Sequence, residues 1–134
     1  MDAHDITEIN NVIALYGHVV DSRDWNRMSE IGTEDFVFDV STLGLRPERA
    51  RGIPEVTEFF RTADHPPVHH CTNAHVYDDD GEVRSRSKWL CVNPSGSVYG
   101  GDYDDFWTKT DVGWRIRIRA VTFRFGRKEP SRGR

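Results

Sequence analysis

The sequence predicts an α+β fold: a curved antiparallel sheet wrapped around a small set of N-terminal helices. Three observations carry this. Apolar residues recur at three- and four-residue steps in the stretches before Ala63. From Val68 onward the texture changes to β-type segments separated by the short turn sequences DDDG, NPSG and DVG. The resulting order is helix, helix, strand, helix, then four strands in a meander. A curved sheet closed on one side by helices leaves a cone-shaped cavity, a favoured place for small ligands.

The first helix is read from DITEINNVIALYGHVV. Asp5 and Glu8 have capping-box spacing, and Ile6, Ile9, Ile13, Tyr16 and Val20 form its apolar stripe, ending near Asp21. DWNRMSEI predicts a second short helix, with Asp24 at its start and Gly32 just past its end. EDFVFDVSTLG alternates as a strand. LGLRPERARG carries no strong structural signal and reads as a loop or flap. RGIPEVTEFFRTA predicts a third helix, with Pro54 in its first turn and Val56, Phe59 and Phe60 on its apolar side. The strands VHHCTNAHVY, EVRSRSKWLCV, SVYGGDYDDFWTKT and WRIRIRAVTFRF complete the chain.

The 134 residues suit one domain, taken as residues 1–126, with 127–134 as a disordered basic tail. The net charge is −4, and the tail FGRKEPSRGR holds four basic residues against Glu129, so the body is more acidic than the whole. An acidic body argues against a nucleic-acid partner. No apolar run approaches a membrane span, and the acidic start MDAHDITEINN reads as polar chain, so neither a secretory nor a transit signal is expected. Two cysteines, Cys71 and Cys91, suit free thiols in a reducing compartment, so the expected location is the cytoplasm.

The stretch VHHCTNAH holds three histidines and a cysteine. On a regular strand His69, Cys71, Asn73 and His75 share one side, yet no second strand offers a matching His or Cys pair for a metal. An acid–base pair is a further reading. Asp21 follows two valines at the end of an apolar stripe, where a carboxylate is costly unless paired, and histidine titrates near neutral pH. The plain alternative also stands: Asp21 closes its helix, Tyr16 is a core aromatic, and His69 is a wall residue.

YGHVVDSRDW, EDFVFDV, HHCTN, GDYDDFW and GWRIRIR, in this order, resemble the SnoaL-like group of the nuclear transport factor 2-like superfamily. The resemblance covers residues 5 to about 125. Among enzymes of that group it looks like scytalone dehydratase, bile acid 7α-dehydratase and lindane dehydrochlorinase. It implies a cone-shaped α+β barrel with an apolar pocket, often a dimer or trimer. It also implies that Asp21 pairs with His69 to remove a proton from the substrate, and that Tyr16 assists the leaving oxygen. Register bears on this. Across DDDG as a two-residue hairpin, His70 shares a face with Trp89, and His69 lies outside with Arg84, Arg86 and Lys88. A longer turn, or a bulge near Asn73, shifts the register by one and turns His69 inward instead. The resemblance favours His69, with His70 in reserve.

Phe38, Trp89 and Tyr103 are expected to face inward as substrate contacts or as core. Arg115, Arg117 and Arg119 alternate with Ile116, Ile118 and Ala120 and read as a solvated or subunit-facing strip. The expected function is a lyase or isomerase of dehydratase type without cofactor or metal, on a small, mostly apolar molecule such as a polyketide, steroid or aromatic compound. A polyketide cyclase, a ketosteroid-isomerase-like enzyme using Asp39, and a non-catalytic assembly subunit are the alternatives. A homodimer or homotrimer is expected, with no membrane partner.

Overall fold

The computed structural model describes residues 1–64 and 68–130. Among these, the helices are α1 (Ala3–Ser22) and α2 (Ile53–Thr62), with short 3₁₀ turns at Trp25–Glu30 and Ser41–Leu43. The strands are β1 (Gly32–Asp39), β2 (Arg49–Arg51), β3 (Val68–Asp79), β4 (Glu82–Val92), β5 (Val98–Thr110) and β6 (Gly113–Phe125). They form one sheet in the order β2-β1-β6-β5-β4-β3. Helix α1 touches both β3 and β6, so the sheet curves around it, while α2 packs on β1 and β2. The α+β architecture is the one expected, with one correction: the sheet is mixed, because β1 runs parallel to β6. The residues between β1 and α2, expected as a loop, include β2, which pairs antiparallel with β1. No helix among the described residues is long and apolar enough to cross a membrane.

Helix α1 starts earlier than the Asp5/Glu8 spacing implies. Its capping box is Asp2 with Asp5: each side chain accepts the other's backbone N–H at 2.9 Å. This frees Glu8 to accept the Trp114 backbone N–H at 2.5 Å. The second helix is a 3₁₀ turn, and Asp24 caps it with its backbone carbonyl rather than its side chain. Ile9, Ile13, Tyr16 and Val20 are buried as expected, whereas Ile6 is exposed.

Asp5 is buried and ties the start of α1 to the β5–β6 hairpin. Its Oδ1 accepts from the Trp114 indole N–H at 2.8 Å and from Lys109 Nζ at 3.1 Å. The Trp114 hydrogen bond, followed by the Asp2 N–H and Lys109, holds the Asp5 carboxyl well below its ordinary value of 3.8. The fold therefore favours ionised Asp5, and that contribution is complete above the unfolded-chain value and drains away as pH falls below it. In urea unfolding, the deficit of Asp5→Asn against the native sequence is expected to be steady near about pH 6 and to shrink below about pH 4. A deficit that stays constant across that range would contradict the assignment.

Two bulges decide which side chains face inward. Asp80 and Gly81 have φ of 53° and 89° and form the two-residue turn between β3 and β4. From Asp79↔Glu82 to His75↔Arg86 the pairing is regular; then Thr72 faces Lys88, so Asn73 and Ala74 together oppose Ser87. Asn73 takes φ 55°, a conformation asparagine tolerates better than most residues. Likewise Trp107 pairs with Ile116 but Phe106 with Ile118, leaving Arg117 as the extra residue on β6.

Beyond β6, residues 127–130 have no regular structure but run against the β4–β5 turn. Asn93, buried, donates from Nδ2 to the Arg127 carbonyl at 2.6 Å, and its Oδ1 accepts the Glu129 N–H at 2.9 Å. The Glu129 carboxylate accepts from the Ser95 and Ser97 hydroxyls at 2.7 and 2.8 Å. The rest of the expected disordered tail, 131–134, lies outside the described residues.

Candidate active site

Asp21 occupies the last turn of α1, and His69 is the second residue of β3. The helix and strand meet closely because Gly17 stands one turn before Asp21. A Cβ there would sit 3.2 Å from the His69 carbonyl oxygen, tighter than ordinary contact. The Asn73 bulge then sets the facing of β3: His69 and Cys71 point inward with Cys91 and Trp89, and His70 and His75 are exposed. His70 is thus on the outer side. The single side that a regular strand would give His69, Cys71, Asn73 and His75 does not exist, because the bulge separates His75 from His69.

Asp21 holds His69 at two points. Asp21 Oδ1 lies 2.5 Å from His69 Nδ1, and Oδ2 accepts the His69 backbone N–H at 2.9 Å. The His69 side chain is only 6% exposed and that of Asp21 22%, so the contact is largely shielded from water. A carboxylate bound at once to the ring nitrogen and to the same residue's backbone fixes the ring's orientation. It also favours the tautomer that carries its proton on Nδ1.

His69 forms part of the wall of a cavity of about 150 Å³. Tyr16, Phe38, Trp89 and Tyr103 line it too, so five of the six residues singled out in the sequence meet there, with Asp21 behind His69. Tyr16 and Tyr103 pack edge to face at 5.6 Å, Trp89 stacks with Tyr103 at 6.2 Å, and Phe38 packs on Phe60 at 4.7 Å. The Trp89 indole N–H donates to the Thr122 carbonyl at 3.1 Å, which fixes this wall. Burial pushes the Tyr16 phenol well above its ordinary value of 10, against a smaller lowering effect of the Arg119 charge. Burial does the same at Tyr103. Both phenols are therefore protonated donors at neutral pH. Cys91, also in the wall, is pushed up to about 12 by burial and holds its proton as well.

Beneath the two tyrosines lies a charge that the arginine alternation concealed. The bulge at Arg117 sends Arg119 inward, where it is fully buried, instead of leaving it on an outer strip with Arg115 and Arg117. Its Nε and Nη2 donate to the two Asp105 oxygens at 2.8 Å each. The guanidinium carbon sits 4.3 Å from the centre of the Tyr16 ring and 3.9 Å from that of Tyr103. Nη1 is buried without a hydrogen-bond partner, its charge facing aromatic surface instead. Asp39 is absent from the cavity lining: its side chain accepts from the Ser41 N–H at 2.9 Å and Arg49 Nε at 3.1 Å.

The fold and this cavity define a helix-plugged, curved-sheet protein with a histidine–carboxylate pair in an apolar pocket. The chain belongs to the SnoaL-like domain family, whose model matches residues 1–120. It is 27% identical over 130 residues to uncharacterized proteins of Mycobacterium tuberculosis and Mycobacterium bovis, covering 88% of this chain and 84% of each relative. Among solved structures, it resembles a proposed aromatic ring hydroxylase from Novosphingobium aromaticivorans. That match has 26% identity and a TM-score of 0.76 over 94% of this chain and 93% of the other. A proposed scytalone dehydratase from the same organism matches at 16% identity and TM-score 0.67, covering 96% of this chain and 93% of the other, a likeness of fold alone.

Proposed function

We propose that this protein is a cofactor-independent lyase or isomerase of dehydratase type, acting on a small, mostly apolar substrate. The observation that supports it is the 2.5 Å contact between Asp21 and His69 Nδ1 at the wall of an apolar cavity. With Nδ1 given to Asp21, proton exchange with a substrate is assigned to Nε2, on the far side of the ring. His69 removes a proton from carbon, and the carbon–oxygen bond on the neighbouring carbon breaks as the double bond forms. The proton taken up by His69 passes to the departing hydroxide, which leaves as water and regenerates the base. Tyr16 donates a hydrogen bond to the leaving oxygen, and Asp21 orients the ring and balances its transient positive charge. Phe38, Trp89 and Tyr103 hold the apolar body of the substrate. The ring-processing name of the Novosphingobium relative agrees with a cavity walled by aromatic side chains.

The test is a panel of cyclic β-hydroxy ketones incubated with the protein in deuterated water, followed for loss of water and for deuterium at the carbon α to the carbonyl. Elimination or exchange above the buffer rate is expected for at least one member. Compounds that bind but neither eliminate nor exchange would move the site to a binding module.

A further inference from the structure

The inner cavity has a size that selects. An apolar cavity of about 150 Å³ accommodates one benzene ring, and the inner chamber here is ≈ 150 Å³. A rigid four-ring molecule is too large for it. Outside lies a second cavity of about 410 Å³, which shares Leu45, Phe59, Ala63, Asp64 and Lys128 with the first. The two are therefore an inner chamber and an outer groove joined through a common collar.

The groove differs in character from the chamber, since Arg46, Glu55, Glu58 and Thr62 contribute to its walls. Arg46 is engaged by Glu48 at 2.7 Å, and Glu58 by Arg61 at 3.0 Å. Lys128 makes no hydrogen bond or ion pair with another described residue. The segment carrying it is nevertheless pinned through its neighbours, by Asn93 at Arg127 and Glu129 and by Ser95 and Ser97 at Glu129. Those anchors use backbone groups and the Glu129 carboxylate, and they leave the Lys128 ammonium at the collar.

We propose that the substrate has a single six-membered ring, held in the inner chamber beside His69, and a short flexible arm that passes the collar and ends in an anionic group at Lys128. Asp64 shares the collar, so the arm runs on the Lys128 side. This rests on the reading of the cavity as the substrate pocket and narrows its substrate class to arylalkanoate-like molecules.

Calorimetric titration of the full chain tests it, with 4-phenylbutanoate, 4-phenylbutanol and the rigid four-ring acid cholate as probes. The phenylbutanoate is expected to bind, and Lys128→Gln to weaken it about fivefold, the scale of an exposed ion pair. The same variant leaves the alcohol's affinity unchanged, and cholate does not bind. Cholate binding as tightly as the phenylbutanoate, no binding of the phenylbutanoate, or equal affinity of it for Lys128→Gln and the native chain overturns the proposal. The titration is repeated with His69→Gln. Retained binding there, whatever happens to turnover, separates a failure of the acid–base chemistry from a failure of this substrate class.

Discussion

Replacing His69 with Gln is expected to lower the rate of elimination or exchange by about 10²–10⁴, the usual yield of a positioned general base. That range corresponds to about 2.7–5.5 kcal/mol of barrier. Gln keeps a polar side chain of similar reach but has no group that takes up a proton near neutral pH, so binding persists while chemistry stops. Asp21→Asn is expected to act in the same direction without touching the ring. An amide facing Nδ1 can donate, which favours the tautomer with its proton on Nε2, and that tautomer cannot accept a proton from the substrate. Asn still offers one oxygen to the His69 backbone N–H, now met by Asp21 Oδ2 at 2.9 Å, so β3 should stay docked on α1. Rates falling while Kd for the bound ligand stays within a few-fold is the pattern expected. A variant at either position that retains full rate would remove the pair from the mechanism.

Asp105→Ala is expected to cost about 3–5 kcal/mol, because it leaves a fully buried guanidinium without its counter-charge. Against a total stability of about 5–15 kcal/mol, such a loss brings the chain near unfolding at physiological temperature. Arg119 and Asp105 are each 0% exposed, and no solvent is at hand to replace the two hydrogen bonds. The double variant Asp105→Leu with Arg119→Met removes both charges and keeps apolar bulk under Tyr16 and Tyr103. It is expected to recover most of the loss, since well-packed apolar replacements of buried pairs are often neutral or better. Urea unfolding followed by tryptophan fluorescence reads all three proteins. Asp105→Ala within about 1 kcal/mol of the native chain would mean that the pair contributes little beyond what an apolar contact supplies.

The parts legible in the sequence are those written in local periodicity. The α1 stripe placed Tyr16 in the core and Asp21 at its end, and turn sequences marked the β3, β4, β5 and β6 boundaries. What stayed hidden depends on parity. A single extra residue in a strand reverses which faces are inward, and it leaves almost no trace in composition. At Asn73 there is a trace, since asparagine tolerates positive φ, and a bulge near it is one of two ways, with a longer turn, to bring His69 inward. At Arg117 there was none: arginine is not a turn former, and the clean Arg–Ile alternation pointed Arg119 toward solvent when it lies in the core. Strand β2 is too short for alternation to register, and its pairing with β1 comes from tertiary contact. The parallel β1–β6 pair is likewise long-range. Lys128 was hidden by its setting, because the Gly, Pro and Ser around it look disordered while Asn93, thirty-odd residues away, supplies the anchor.

The measurement that tests the acid–base pair most directly needs no substrate. Nitrogen-15 NMR of the His69 ring at about pH 8 distinguishes the two neutral tautomers. The geometry predicts a proton on Nδ1, directed at Asp21 Oδ1, and none on Nε2, with Asp21→Asn reversing the preference. A neutral ring with its proton on Nε2 in the native chain would contradict this: His69 could not then act as the base, and its contact with Asp21 would be structural.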